Sequence, residues 1–166
     1  MNMLKFLNKK KKDNKGFSLV ELIIVVAILA ILVGLLAPQY IKYVEKSRKS
    51  ADASNLSEMV NAVQIYAADV DPGLPAGEYT ITVTDEGTTV AGPDATIKVN
   101  GKAETGKDLV TAAIEETAPD YASTKMKSSK WGDNLVATIK VDDNGGTKVS
   151  YSPLKLQEFI NNKTTQ

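Results

Sequence analysis

The sequence predicts an α+β fold in which one long N-terminal helix packs on an antiparallel β-sheet, with short additional helices. An apolar run of helix-forming length covers residues 17–37 and contains one charged residue. Apolar residues then recur at spacings of three and four as far as Val70, which is the period of an amphipathic helix. After Leu74 the pattern changes to short runs of alternating apolar and polar residues between turn residues, and such runs favour strands.

The first half of the predicted helix, residues 17–38, is long enough to cross a membrane, since a spanning helix needs about 20 apolar residues. Six lysines and one acid precede it. That excess of positive charge predicts that residues 1–16 stay on the cytoplasmic side while the remainder is translocated. A secretory signal peptide is disfavoured, because its apolar core is only ~7 to 15 residues long and ends in a small-residue cleavage site.

Glu21 is the one charge inside the apolar run. A carboxylate in a membrane-spanning segment costs about 3 kcal/mol on insertion scales, so its presence suggests a function. A plain membrane anchor would explain the length of the run and the lysines before it. It would not explain Glu21.

The second half of the helix, residues 39–71, is predicted to be amphipathic. Pro38 lacks a backbone donor and is expected to kink the helix where the two halves meet. Because glycine also weakens the helical hydrogen bonds, we hypothesise that the backbone from Gly34 to Pro38 melts on assembly. The charged residues are expected mostly off the apolar face: Lys46, Lys49, Asp52, Glu58 and Asp69. Proline and glycine at 72 and 73 predict the end of the helix.

The remaining segment, residues 72–166, is predicted to form an extracellular, β-rich head domain. Strand patterns cover Tyr79–Thr84 and Ala95–Val99, and a hairpin joins Leu135–Val141 to Thr147–Tyr151. The capping pair Thr105 and Asp108 predicts a short helix over Leu109–Glu116. Ser152 and Pro153 have the residue types of an N-cap and a first helical position, so they predict a terminal helix.

The composition excludes several kinds of chemistry. The chain has no cysteine and no histidine, which rules out disulfides, Ser-His-Asp catalysis and histidine-based zinc sites. With no catalytic cluster in the sequence, we expect a protein that is not an enzyme and needs no cofactor. Removal of residues 1–16 leaves 14 basic and 19 acidic residues, a net charge of −5. That balance argues against nonspecific binding of nucleic acid by the whole surface.

Three stretches resemble ligand-binding motifs. For each of them we favour a purely structural role. Gly101–Asp108 is one residue short of a phosphate-binding loop, but Asp108 stands where a hydroxyl should hold magnesium. A turn followed by a helix cap is favoured there. Asp142-Asp143-Asn144 and Asp69-Val70-Asp71 carry oxygens that calcium accepts, yet neither has the spacing of a calcium loop. Asp and Asn also favour turns and helix ends, and we prefer that interpretation.

A basic patch with one aromatic residue lies near the middle of the head domain. It consists of Lys125, Lys127, Lys130 and Trp131. Such a patch could contact DNA, a polysaccharide or another surface. A solvated loop whose tryptophan turns inward is the favoured interpretation.

The segment Gly16-Phe17-Ser18-Leu19-Val20-Glu21-Leu22, with its basic flank, resembles the processing motif of type IV pilins, the class III leader peptide. In that family a prepilin peptidase cleaves after the glycine on the cytoplasmic side and methylates the new amine. The resemblance implies cleavage between Gly16 and Phe17 and N-methylation of Phe17. The resemblance is strong over roughly Lys9–Ala53. Beyond Ala53 it is limited to the predicted architecture. Many Gram-negative pilins carry a C-terminal disulfide, so this cysteine-free chain is more similar to major pilins of Gram-positive bacteria or to a pseudopilin.

The physical chemistry of Glu21 agrees with the resemblance and suggests a role in assembly. Cleavage creates a positive amine on Phe17, one helical turn from the negative carboxylate. In a bundle of apolar helices, an incoming amine can neutralise a neighbour's Glu21, whereas an unpaired carboxylate would stay buried at high cost. The alternative is that Glu21 pairs with its own amine or lies near the lipid headgroups.

The resemblance implies a structural subunit that is a single-pass membrane protein before assembly and then part of an extracellular helical filament of identical subunits. The uses of such pili include adhesion, twitching motility and aggregation. The implied partners are the prepilin peptidase, a platform protein and an assembly ATPase. Two alternatives stay open: a pseudopilin or minor pilin of a type II secretion or DNA-uptake system, and a membrane-anchored binding domain that needs neither cleavage nor Glu21.

Overall fold

The computed structural model describes residues 16–69 and 73–164. The chain divides into two compact units, Met1–Lys42 and Tyr43–Gln166. In chain order the elements are α1 (Leu19–Asp69), β1 (Gly77–Val83), β2 (Thr88–Ala91), β3 (Thr96–Val99), β4 (Lys102–Thr105), α2 (Gly106–Thr117), β5 (Leu135–Val141), β6 (Thr147–Ser152) and α3 (Leu154–Thr164). The predicted α+β class, with one long helix, an antiparallel sheet and short helices, is confirmed.

In the first unit, the described residues are dominated by the start of α1. Its side chains from 19 to 42 are all exposed, although the run is almost entirely apolar. Among the described residues, this is the one helix long and apolar enough to cross a membrane. Pro38 lies inside the helix. The kink predicted there remains a prediction.

In the second unit, four strands form an antiparallel sheet in the order β2-β1-β5-β6. Ile81 of β1 pairs with Val90 of β2 on one side and with Ala137 of β5 on the other. Alternate residues of β1 and β5 are buried, as expected of a sheet with one face on a core. The predicted hairpin of β5 and β6 is confirmed, with Ile139 opposite Val149.

The core of this unit lies between the buried face of the sheet and the second half of α1. The helix contributes residues at spacings of three and four, and α2, α3 and Trp131 complete the core. The apolar residues of α1 that are at most 2% exposed are Ala53, Leu56, Met59, Val60 and Val63. Burial of a large apolar side chain contributes about 2 kcal/mol, so this contact holds the helix on the sheet.

A smaller two-stranded sheet of β3 and β4 precedes α2. The capping box predicted for α2 is present, because Thr105 and Asp108 bond each other's backbone in both directions. The helix ends at Thr117, two residues before Pro119. The predicted helix Leu109–Glu116 is confirmed, and it begins three residues earlier than predicted, at Gly106.

Three expectations need correction. Residues Lys102–Thr105 form strand β4, where only a turn was expected. Ser152 is the last residue of β6, and the Pro153 carbonyl accepts the first hydrogen bonds of α3. Asp52, expected mostly off the apolar face of α1, is only 2% exposed. Backbone and indole donors from a distant loop surround it, and sequence spacing cannot reveal them.

Candidate processing and assembly segment

The segment that carries the predicted processing residues begins outside the helix. Residues 16–18 are not helical, and α1 begins at Leu19. Phe17 is 87% exposed, and nothing lies within 4 Å of a side chain added at Gly16. The Gly16–Phe17 peptide bond is therefore in non-helical, open chain.

Ser18 and Glu21 together cap the first turn of α1. The Ser18 hydroxyl accepts a hydrogen bond from the Val20 N–H at 3.3 Å, and its carbonyl accepts one from Leu22. The Ser18 N–H in turn donates to the Glu21 carboxylate at 2.8 Å. The Ser18 hydroxyl thus caps the second residue of the helix, and the Glu21 carboxylate caps Ser18, so both satisfy donors that the start of a helix leaves free. The negative charge also lies at the positive end of the helix dipole.

The role of Ser18 was missed in the sequence interpretation, although its signal was present. Ser-x-x-Glu before an apolar run is the sequence signature of a capping box. The spacing of Ser18 and Glu21 therefore indicates a local partner for the Glu21 carboxylate. Within the described chain, Glu21 is thus hydrogen-bonded before any cleavage takes place.

The apolar surface of α1 beyond this cap is not covered by any described part of the chain. Its large side chains are 48% to 74% exposed over 19–36. A patch of this size on an isolated soluble protein would cause aggregation, so it requires lipid or other apolar helices around it.

A second set of polar contacts joins α1 to the loop between α2 and β5, residues 118–134, here called the α2–β5 loop. The buried Asp52 carboxylate accepts hydrogen bonds from the Lys127 N–H at 2.8 Å and the Ser128 N–H at 2.9 Å. It also accepts one from the Trp131 indole at 3.0 Å. Three donors are what a buried carboxylate needs to remain stable in the core.

Further contacts lie along the same stretch of the helix. The Ser128 hydroxyl donates to Glu45, and the Lys49 ammonium lies 4.7 Å from the centroid of the Trp131 ring. The ring itself meets Phe159 of α3 edge to face, with centroids 5.6 Å apart. Sequence reasoning predicted correctly that Trp131 turns inward, but it did not identify Asp52 as the residue that holds it.

The other sequence motifs have local structural roles. The Thr105 hydroxyl and N–H hold the pKa of Asp108 below its ordinary value, because they donate to the charged form. Asp142 accepts from the Asn144 N–H at 2.9 Å and the Gly146 N–H at 2.8 Å, which closes its own turn. In the part of the chain that the structure describes, no group of three or more acidic side chains is arranged to hold a metal ion.

Comparison with protein families matches residues 11–37 to the prokaryotic N-terminal methylation motif. Comparison with curated proteins and with solved structures found no match. The matched motif and the apolar N-terminal helix fit a membrane-anchored precursor. The motif is the class III leader of type IV pilins, and it supports a pilin-like or pseudopilin substrate of prepilin peptidase.

Proposed function

We propose that the chain is the subunit of a type IV pilus, cleaved between Gly16 and Phe17, N-methylated at Phe17 and polymerised into a surface filament. The observation that supports this most is the open peptide bond before a capped helix whose apolar surface is uncovered. A peptidase needs extended chain at its cleavage site, and a filament core needs an apolar helix without an intramolecular partner.

In this proposal the hydrogen bond between Ser18 and Glu21 has a role before assembly. While residues 1–16 are attached, the nitrogen of Phe17 is a neutral amide, and Glu21 accepts from Ser18. Cleavage converts that nitrogen to an ammonium, so that Glu21 acquires a charged partner. A hydrogen bond from a charged donor is roughly twice as strong as one from a neutral donor. The amine of an incoming subunit can then compete for the Glu21 carboxylate.

This proposal assigns a role to each part of the chain. Residues 1–16 are the leader that is removed, and 17–38 span the membrane and later enter the filament core. Residues 39–71 are the amphipathic half of the helix, and 72–166 form the head on the outside. The assembly partners are the prepilin peptidase, a platform protein, an ATPase and further copies of this chain.

The test is intact-mass spectrometry of material sheared from the surface of the native host. We expect a species that begins at methylated Phe17. A chain that still begins at Met1 would contradict processing. The processed form confined to the membrane fraction would identify a pseudopilin or minor pilin instead.

A charge variant separates processing from assembly. We expect Glu21→Gln to be cleaved normally but to be lost from the sheared fraction, since its side chain cannot pair with an incoming amine. Glu58→Gln removes an exposed carboxylate from the same helix and should assemble as the wild type does. Normal filaments from Glu21→Gln would refute the assembly role.

A further inference from the structure

Two asparagines of the chain, Asn100 and Asn144, are followed directly by glycine. Asparagine is a thermolabile residue, because the backbone nitrogen of the next residue can attack its side-chain amide. Glycine permits this approach most readily, since it has no Cβ atom beside that nitrogen. Both pairs lie in hairpin turns, Asn100 between β3 and β4 and Asn144 between β5 and β6. The surroundings of each turn therefore decide which pair can react.

The turn at Asn100 and Gly101 is open. The two residues have positive φ angles of 51° and 82°, as the two-residue turn between the paired Val99 and Lys102 requires. Asn100 is exposed, and nothing lies within 4 Å of a side chain added at Gly101. Among residues 16–69 and 73–164, neither the Gly101 N–H nor the Asn100 side chain has a hydrogen-bond partner. The attacking nitrogen and the amide that it would attack are thus both available.

The turn at Asn144 and Gly145 is held by hydrogen bonds. The Gly145 N–H donates to the Asp142 carbonyl at 3.1 Å, so the attacking nitrogen is occupied. The Asp142 carboxylate accepts from the Asn144 N–H and the Gly146 N–H, and the Asp142 N–H donates to the Gly146 carbonyl. A side chain added at Gly145 would lie 2.7 Å from the Ala67 carbonyl oxygen. This turn therefore has little room to rearrange.

We propose that Asn100 is a site of spontaneous covalent modification, selected over Asn144 by the fold. The Gly101 nitrogen forms a bond to the side-chain carbonyl carbon of Asn100, and the bond from that carbon to the amide nitrogen breaks. The proton of the Gly101 nitrogen leaves with the amide nitrogen as ammonia, and the product is a cyclic succinimide. Water then opens the ring at either of its carbonyl carbons, which gives aspartate or isoaspartate at position 100. Water is the only other reactant, and no group is oxidised or reduced.

The modification changes both the charge and the shape of the hairpin. Either product has a carboxylate where Asn100 has a neutral amide. Isoaspartate also places a side-chain carbon in the main chain, which lengthens the turn and disrupts the pairing of Val99 with Lys102. Because β3 and β4 form a sheet separate from the four-stranded sheet, we expect the modified head to remain folded. The proposal depends neither on processing nor on filament formation.

The test compares the two asparagines in folded and in unfolded protein. The full chain in detergent is incubated in mildly alkaline buffer, with or without urea, and digested with a protease that cuts after glutamate. Asn100 is then in peptide 87–104 and Asn144 in peptide 117–158, and mass spectrometry with fragmentation detects each amide that has become an acid. In the folded chain, Asn100 should convert faster by at least about tenfold, since the Asn144 turn must first break hydrogen bonds. In urea the two rates should be similar.

Matched variants assign the reaction to its groups. Gly101→Ala places a Cβ atom beside the attacking nitrogen and should slow conversion at Asn100 to the rate at Asn144. The control Asn144→Gln should leave the rate at Asn100 unchanged. Isoelectric focusing of the incubated wild type should show an additional, more acidic band, and Asn100→Gln should lack it. Circular dichroism verifies that each variant is folded.

Three outcomes would overturn the proposal. If Asn144 converts as fast as Asn100 in the folded chain, the hydrogen bonds of its turn do not protect it. If Asn100 stays faster by the same factor in urea, the neighbouring residues explain the difference and the fold does not. If Gly101→Ala converts at the rate of the wild type, the Gly101 nitrogen is not the attacking group.

Discussion

At the scale of single residues, Asp52 joins α1 to the α2–β5 loop through three hydrogen bonds. We expect Asp52→Ala to lower the free energy of unfolding by about 3 kcal/mol, because three donors in or near the core lose their acceptor. Urea denaturation of the full chain in detergent, followed by Trp131 fluorescence, measures the change. Glu58→Ala removes an exposed charge from the same helix and should change stability by less than about 0.5 kcal/mol. Equal losses would mean that Asp52 does not anchor the loop.

Tyr79 gives the stability a dependence on alkaline pH. Its hydroxyl donates to the Pro75 carbonyl at 2.7 Å, and burial raises its pKa from 10.0 to about 12. The folded chain holds this proton more tightly than the unfolded chain does. The stabilisation is therefore complete below pH 10 and is lost as the pH rises towards 12.

The variant Tyr79→Phe should lose less stability than the wild type as the pH rises from 10 to about 12. Denaturation midpoints measured across this pH range test the difference. Burial also raises the pKa of Tyr66 and Tyr151, so part of the slope should remain. Identical slopes for variant and wild type would place the alkaline sensitivity elsewhere.

At the scale of elements, the turn between β5 and β6 lies against the end of α1. Gly145 has a φ of 76°, and a side chain added there would lie 2.7 Å from the Ala67 carbonyl oxygen. Gly101, in the turn between β3 and β4, has a similar φ of 82° but nothing within 4 Å. The two glycines therefore separate the cost of the backbone conformation from that of the contact.

We expect Gly101→Ala to cost about 1 kcal/mol, the penalty for a left-handed backbone with a Cβ atom. Gly145→Ala should cost at least about 2 kcal/mol, because the turn must also move away from the helix. Thermal denaturation of both variants gives the comparison. If the two losses are the same, the β5–β6 turn does not pack on α1 as closely as the structure has it.

At the scale of the whole molecule, processing changes the charge of the protein. The full sequence has 20 basic and 20 acidic residues and a pI near 6.3. Cleavage after Gly16 removes six lysines and one aspartate, and methylation of an amine keeps its charge. We expect the processed form to focus at a clearly lower pH than the precursor. Isoelectric focusing with and without the peptidase tests this, and a single unshifted band would exclude removal of the leader.

The elements that could be predicted are those whose signal is local. The apolar run, the period of α1 and the capping box of α2 each lie within a few turns of chain, so periodicity and spacing reveal them. The strand β2 was missed because its residue types, Thr-Thr-Val-Ala, do not alternate in polarity, although buried and exposed positions alternate in the structure. The strand β4 was missed because its residues also read as a turn.

The sequence by itself therefore determined the leader motif, the membrane-spanning helix and the α+β class, because hydrophobic length, charge asymmetry and period are properties of contiguous residues. Only the tertiary structure decided that Asp52 is buried and that the α2–β5 loop lies beside it and Lys49. Those facts depend on hydrogen bonds between residues 75 to 79 positions apart. No pattern along the chain encodes such a pairing, since it exists only once the core has formed.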